Sequence, residues 1–266
     1  MKYSREYEVV KQIINDLNRL YFSKLDDLDI DINEKGKNDI VTSIDLAVEE
    51  YTIKQLQINF PEDNIISEET KNVVNLEDRN WVIDPIDGTC NFANNIPCFG
   101  FQIALIDKEN PLFSVIYLPE SNQLYYAEKD FGAYLNAKRI FTSDNELPEN
   151  SIVTLGDFSK SNDTSISDQL NIYPKLHNKI LRFRMFGASC LDFCFLASGK
   201  THVHIMFSNK IWDIMPGLLL AKEAGAYITN LDGSEFDIKG GAFIVSANEI
   251  LNLAILEHVN FDEKWF

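Results

Sequence analysis

Basic residues are scarce in this chain: 24 lysines and arginines stand against 41 aspartates and glutamates, a formal net charge of −17 over 266 residues. No basic patch is visible, which argues against a nucleic-acid partner, because phosphate backbones are held by clustered lysine and arginine. The excess acid also simply favours solubility. Histidines number only 4 and cysteines only 4. With no Cys-x-x-Cys pair and no histidine cluster, a zinc site is not expected. Cys90, Cys98, Cys190 and Cys194 read as reduced, buried thiols of a cytoplasmic protein, since disulfides are rare in reducing compartments. No run approaches the ~18 apolar residues that span a bilayer. The opening Met1-Lys2-Tyr3-Ser4-Arg5-Glu6 carries charge rather than an apolar signal core, so no membrane partner is expected.

What is present is ample apolar material, 45% of the residues, enough for a sizeable core in one large domain or two lobes. Val9, Val10, Ile13, Ile14, Leu17 and Leu20 recur at helical spacing and predict a helix over about 4–24. Asp27 to Ile32 alternates acid and apolar residues, which suits a half-exposed strand. Asp39 to Asp45 opens a second helix running to about Asn59, with Thr42 as N-cap and Asp45 three residues later as in a capping box. Asn64 to Ser67 reads as a short strand that ends in Glu68 and Glu69. Strands at 99–107, 112–118, 123–128 and 133–135, separated by turn residues, predict an antiparallel meander. The polar stretch 144–150 is the best boundary between an N-terminal lobe of about 1–145 and a C-terminal lobe of about 146–266. Beyond it come a strand at 152–155, a helix to His177, a strand at 181–184, and a helix capped by Ser189 and ended by Gly199. His202 and His204 share a face of a further strand, without a third ligand. The last long helix carries Asp213 at its N-terminal end and Pro216 in its first turn, and ends at Gly225.

The chain is organised around Trp81-Val82-Ile83-Asp84-Pro85-Ile86-Asp87-Gly88-Thr89-Cys90-Asn91-Phe92. An apolar strand ends in two carboxylates, a proline that fixes φ, and the start of a short helix. Those parts suit a phosphate ester bound through Mg²⁺, which takes oxygen ligands and is often completed by phosphate. Asp84 has two oxygens and could bridge two ions, Asp87 reaches from another side, and the carbonyl of Ile86 is a further ligand. The amides of Gly88 and Thr89 would meet an anion at the helix start. An Asp-rich turn with a helix cap is the plainer alternative. The spacing of three, with a proline inside, differs from the Asp-x-Asp-Gly-Thr of aspartyl-phosphate enzymes.

The stretch Asp84 to Phe92 resembles the Asp-Pro-Ile/Leu-Asp-Gly-Thr-x-x-Phe motif of the inositol monophosphatase family, Mg²⁺-dependent, lithium-sensitive phosphatases. Thr42-x-x-Asp45, Ser67-Glu68-Glu69 in place of Gly-Glu-Glu, Trp212-Asp213, Asn230 to Gly233 and Phe243 to Asn248 extend the likeness over nearly the whole chain. The resemblance implies a mixed α/β (α+β) fold, the layered α-β-α-β-α sandwich of that superfamily. It implies a hydrolase that binds two or three Mg²⁺ through Glu68, Asp84, Ile86, Asp87 and Asp213. Thr89 with Asp45 would orient the attacking water, and Glu69 would support the site from behind the ligands. Asp87, Ala188, Ser189 and Met206 would face the substrate, and Asp192 would either bind sugar hydroxyls or sit in the first helical turn. Lys35 or Lys37 would serve a mobile loop. Met206 stands where inositol-cleaving members carry a hydroxyl-binding glutamate, so inositol selectivity should weaken. The resemblance further implies a small phosphorylated metabolite as partner, with inositol monophosphate ahead of fructose 1,6-bisphosphate, NADP, 3′-phosphoadenosine phosphate and histidinol phosphate, and a homodimer. The alternative of another class is a non-catalytic phospholigand-binding regulatory protein.

Overall fold

The structure is a computed structural model that describes residues 2–22, 31–36, 39–70, 78–156, 166–207, 210–239 and 241–259. Helix α1, Ser4–Leu20, buries Val10, Ile13, Ile14 and Leu17, the stripe that predicted it. The predicted strand from Asp27 lies outside the described residues up to Asp31; Ile32 begins β1, Ile32–Gly36. Asp39–Thr42 is not yet helix but strand β2, antiparallel to β1. Consecutive β-branched Ile40, Val41 and Thr42 favour that extended start. Helix α2, Ser43–Asn59, then starts from Thr42 with a complete capping box to Asp45, as the spacing predicted.

A seven-stranded sheet follows: β3 Asn64–Ser67, β4 Arg79–Asp87, β5 Gly100–Asp107, β6 Asn110–Leu118, β7 Gln123–Glu128, β8 Gly132–Leu135 and β9 Lys138–Ile140, in that spatial order. β3 runs parallel to β4, and the remainder is the antiparallel meander. β9 was not foreseen, because three residues with two exposed cationic side chains carry no strand pattern. The second sheet has the order β11-β10-β12-β14-β13, from Ile152–Leu155 (β10), Arg182–Arg184 (β11), Val203–Met206 (β12), Tyr227–Asn230 (β13) and Phe243–Ser246 (β14).

Side-chain alternation along the strands builds the layers. On one face of the large sheet, Trp81, Ile83, Phe101, Ile103 and Leu105 meet Val10, Leu17, Val48 and Leu56 of α1 and α2. On the other, Val82, Ala104 and Ile106 meet two helices, α5 Ser189–Ala197 and α6 Ile211–Ala224; the same helices pack against Met206, Phe243 and Val245 of the small sheet. Helices α4, Ile166–Leu176, and α7, Glu249–His258, cover the far side through Ile172, Leu176, Leu251 and Ile255. The result is the α-β-α-β-α sandwich. A five-residue helix, α3 Thr89–Ala93, leaves the end of β4.

Three local expectations are corrected. Ser189 is the first residue of α5 and Ala188 is its N-cap, with no capping bond from a side chain. Helix α6 starts at Ile211, so Pro216 lies in its second turn rather than its first and denies the Trp212 carbonyl its usual amide partner. All four cysteines are free, as expected, but only Cys190 and Cys194 are buried; Cys98 is half-buried and Cys90 is exposed, because α3 turns Phe92 inward and Cys90 outward.

The α5–α6 contact is close enough to require glycine at 217: a Cβ there would lie 2.1 Å from Cδ2 of Phe193, itself fully buried. Gly217→Ala is therefore expected to destabilise by at least about 1–3 kcal/mol, the usual cost of overpacking. Chemical denaturation checks this; an unchanged midpoint would refute the packing account.

Candidate active site

The site begins with an irregularity in β4. Asp84 pairs with Gln102 of β5 while Asp87 pairs with Gly100, so three steps on β4 oppose two on β5. That is a β-bulge, occupied by Pro85 and Ile86. In a regular strand, residues three apart point to opposite faces. The extra residue turns Asp84 and Asp87 to the same face, the one covered by α5 and α6, and sends Ile86 to the α1–α2 core. Proline suits the bulge, having no N–H to leave unpaired.

Asp84 is buried at 1% exposure. Gln102 donates to its Oδ2 at 3.3 Å, and among the described residues its Oδ1 has no donor. Burial, and then the charges of Glu68, Asp87 and Asp213, raise its pKa well above the ordinary carboxylate value. Asp87 is also raised by burial, against the lowering effect of the Cys190 amide and the Ser189 hydroxyl, both of which donate to its Oδ2. The Ser189 hydroxyl also lies 2.9 Å from the Asp213 carbonyl oxygen, which ties the start of α5 to the first turn of α6. This use explains why Ser189 caps nothing. Glu68 follows β3, its amide donating to the Ile83 carbonyl at 3.3 Å, and Lys210 Nζ lies 3.5 Å from its carboxylate.

Four carboxylates thus influence one another in a poorly hydrated place. Among the described residues no three acidic, histidine or cysteine side chains close into a ready-made metal cage. Like charges spread apart, and Asp87 is turned onto the start of α5. The donor set nevertheless fits a hard divalent cation: carboxylate oxygens, the Ile86 carbonyl, and a buried Asp84 oxygen without a donor.

Beside the cluster, Thr89 Oγ1 lies 3.0 Å from Asp45 Oδ1 and 3.0 Å from the Ile86 carbonyl oxygen. Asp45 is fully buried, and its other oxygen accepts from the Thr42 amide at 3.0 Å and from the Thr42 hydroxyl. One carboxylate therefore serves both the helix cap and Thr89. Gly88 caps α3 at φ +90°, where a Cβ would sit 2.9 Å from both the Ala188 Cβ and the Cys98 carbonyl oxygen. Glycine is what lets this turn approach the α5 start so closely.

A cleft of about 420 Å³, open mouth included, is lined by Asp87, Ala188, Ser189, Asp192, Met206 and Asp213 together with Gly156 and Gly187. The four residues expected to face the substrate, Asp87, Ala188, Ser189 and Met206, line it. Met206 is buried and gives the wall a thioether instead of a carboxylate. Asp192, 1% exposed, lies 3.9 Å from His204 Nδ1. Burial lowers the His204 pKa to about 3, so the ring is neutral, and Nδ1 pairs with Thr154 Oγ1 at 2.8 Å. His202 Nδ1 accepts the Ile152 amide at 3.0 Å. Glu69 stands beside Glu68, its amide bonded to Glu49. Lys35 has its backbone in β1, and Lys37 lies outside the described residues.

Three participants escaped the sequence reading: Gln102, Glu49 and the Cys190 amide. A glutamine in an apolar strand was a usable signal for the first, since a buried amide needs partners. The other two depend on contacts between distant segments.

The sequence profile of the inositol monophosphatase family matches residues 3–263. A fructose-1,6-bisphosphatase/inositol-1-monophosphatase of Aquifex aeolicus is 35% identical over 226 residues, 85% of this chain and 84% of that protein. The Nus factor SuhB of Escherichia coli K12 is 33% identical over 205 residues, 77% of this chain and 76% of that one. A crystal structure of an IMPase/NADP phosphatase complexed with Mg²⁺ and phosphate superposes with a TM-score of 0.85 at 23% identity, over 99% of this chain and 98% of that one, which shows the shared fold.

Proposed function

From the premise that this chain belongs to the inositol monophosphatase family and is a phosphoric monoester hydrolase, we propose that it cleaves a small phosphate monoester with Mg²⁺ and water. The bulge that turns Asp84 and Asp87 to one face, where the charges of Glu68, Asp87 and Asp213 act on Asp84, carries the proposal. Glu68, Asp84 and the Ile86 carbonyl would hold one ion, and Asp84, Asp87 and Asp213 a second. Bound there, Mg²⁺ would acidify a water and neutralise charge on the phosphate and the leaving oxygen.

The chain's own groups do the rest. Thr89 Oγ1 donates to Asp45 Oδ1, with the Ile86 carbonyl a second acceptor at the same 3.0 Å, and would itself accept a hydrogen bond from the attacking water. Asp45, buried and anchored by Thr42, holds that hydroxyl in one orientation. The amides of Gly88 and Thr89 head α3 and suit phosphate oxygens. Positioning and charge stabilisation dominate phosphoryl transfer, so no covalent intermediate is needed. The leaving group would occupy the cleft against Ala188, Ser189, Asp192 and Met206. Glu69 supports the ligand strand from behind. Two or three ions, lithium sensitivity, a homodimer and a cytoplasmic location complete the proposal on family grounds.

Among esters we rank inositol 1-phosphate first, from the Asn91 to Asn95 segment, with fructose 1,6-bisphosphate next because the Aquifex relative carries both names. Met206 removes a hydroxyl acceptor and so favours broad over exclusive polyol recognition. The test is phosphate release from inositol 1-phosphate, fructose 1,6-bisphosphate, histidinol phosphate, NADP and 3′-phosphoadenosine phosphate. Each is measured with Mg²⁺, with EDTA, and with Mg²⁺ plus lithium. Release that needs Mg²⁺ and falls with lithium is expected. No release from any ester by folded protein would turn the reading toward a phospholigand-binding regulator.

A further inference from the structure

We propose that Glu49 is a positioning residue for the metal-binding edge of the site, a role that rests on the reading above. Glu49 lies on α2, four residues beyond Asp45, hence one turn along the same side. It is a carboxylate at 4% exposure, which in an apolar setting requires compensating donors. Among the described residues, its side-chain donors come from one segment. Its Oε2 accepts from the Glu69 amide at 3.0 Å and from the Ser67 hydroxyl, and its Oε1 accepts from the Thr70 hydroxyl. The remaining residue of that segment, Glu68, is pinned from the opposite side by its amide on the Ile83 carbonyl at 3.3 Å. Backbone 67–70 is therefore clamped between β4 and α2, and the Glu68 carboxylate is what the clamp presents.

Helix α2 then acts as a spacer with two fixed points. Asp45 fixes Thr89, and Glu49 fixes the segment that bears Glu68 and Glu69. Ser67 also gains a purpose: where the family motif has glycine, the hydroxyl supplies one of the clamp's donors. Without Glu49 the segment keeps its strand pairing but loses its second support. Partners that orient ligands in this way typically govern metal affinity by about 10–100-fold.

Calorimetric Mg²⁺ titration of wild type, Glu49→Ala and Glu49→Gln tests this, alongside the Mg²⁺ dependence of phosphate release and circular dichroism. Glu49→Ala is expected to bind Mg²⁺ about 10–100-fold more weakly. Its kcat at saturating Mg²⁺ should return close to wild type, because the Asp45–Thr89 pair is untouched. Glu49→Gln keeps an acceptor for the Glu69 amide and should fall between the two. Folded Glu49→Ala with wild-type Mg²⁺ affinity overturns the proposal alone. If that variant does not fold, Glu49→Gln decides: weakened affinity supports the clamp, and unchanged affinity overturns it. Wild type that binds no Mg²⁺ overturns both this proposal and the reading beneath it.

Discussion

Asparagine in place of Asp84 will cut phosphate release by about 10³-fold or more, yet raise the melting temperature of the metal-free protein. The first effect follows from the residue's place between two proposed ions: losing several kcal/mol of charge stabilisation costs about that factor. The second follows from burial. Desolvation and the charges of Glu68, Asp87 and Asp213 raise the Asp84 pKa in the folded protein. The unfolded chain loses this proton near the ordinary value of about 3.9. Above that pH the folded state holds more protons than the unfolded one, so stability falls as pH rises through the raised folded pKa. At neutral pH without a cation, the raised pKa means that an ionisable acid at this position opposes folding. Asparagine keeps an acceptor for Gln102 and removes the charge. Melting curves with EDTA and with Mg²⁺, from pH 5 to 8, check both signs. The variant should melt higher with EDTA and lose most of the Mg²⁺-dependent gain that ligand binding gives the wild type. A lower melting point with EDTA, or an intact Mg²⁺ gain, would contradict the account.

Thr89→Val and Asp45→Asn are each expected to lower kcat by about 10²–10⁴-fold, the range for losing a positioned proton acceptor. KM should change little, since neither group is proposed to grip the leaving group. Thr89→Ser retains the hydroxyl and should retain most activity. Because the two residues share one hydrogen bond, the double variant should be scarcely worse than either single one. Asp45→Asn carries an additional cost. It disturbs the bond from the Thr42 amide to Oδ2, and losing such a cap destabilises by about 1 kcal/mol. Thr89→Val spares the cap, so comparing the two separates catalysis from folding. Additive losses in the double variant would mean that Asp45 and Thr89 act apart.

The legible parts of this fold were those set by neighbours in sequence. The stripe of α1, the capping box at Thr42, the turns of the meander and Gly225 past the end of α6 each depend on a few adjacent residues. The strands missed include the three residues of β9, which carry no pattern, and β2, whose apolar residues run straight on into helix α2. At the site, Asp84, Asp87 and Thr89 announced themselves through an unusual local string, which the family resemblance sharpened. What stayed hidden was long-range. Ser189 and Asp87 lie 102 residues apart, and no periodicity encodes their contact; the pairing of Asp45 with Thr89, 44 residues apart, was reached through the family resemblance and not through pattern. Ser189 looked like a cap because serine before a helix usually is one; the carboxylate of Asp87 and the carbonyl of Asp213 claimed the hydroxyl instead. Glu49 carries no local signal, since the donors it meets among the described residues arrive from beyond α2.

The bulge at Pro85 and Ile86 also governs how this stretch tolerates change of length. A regular strand behaves as a parity counter in which each residue flips the face, and a bulge holds one residue out of that count. Deleting Ile86 would place Asp84 and Asp87 two apart in a regular ladder, still on one face and still opposite Gln102 and Gly100, but without the Ile86 carbonyl and without the side chain that enters the α1–α2 core. Exchanging Ile86 for another apolar side chain leaves the count untouched. Substitution and deletion at one position thus have different consequences here: the first alters packing by degrees, while the second removes the bulge and its proposed carbonyl ligand and leaves both acids on the same face.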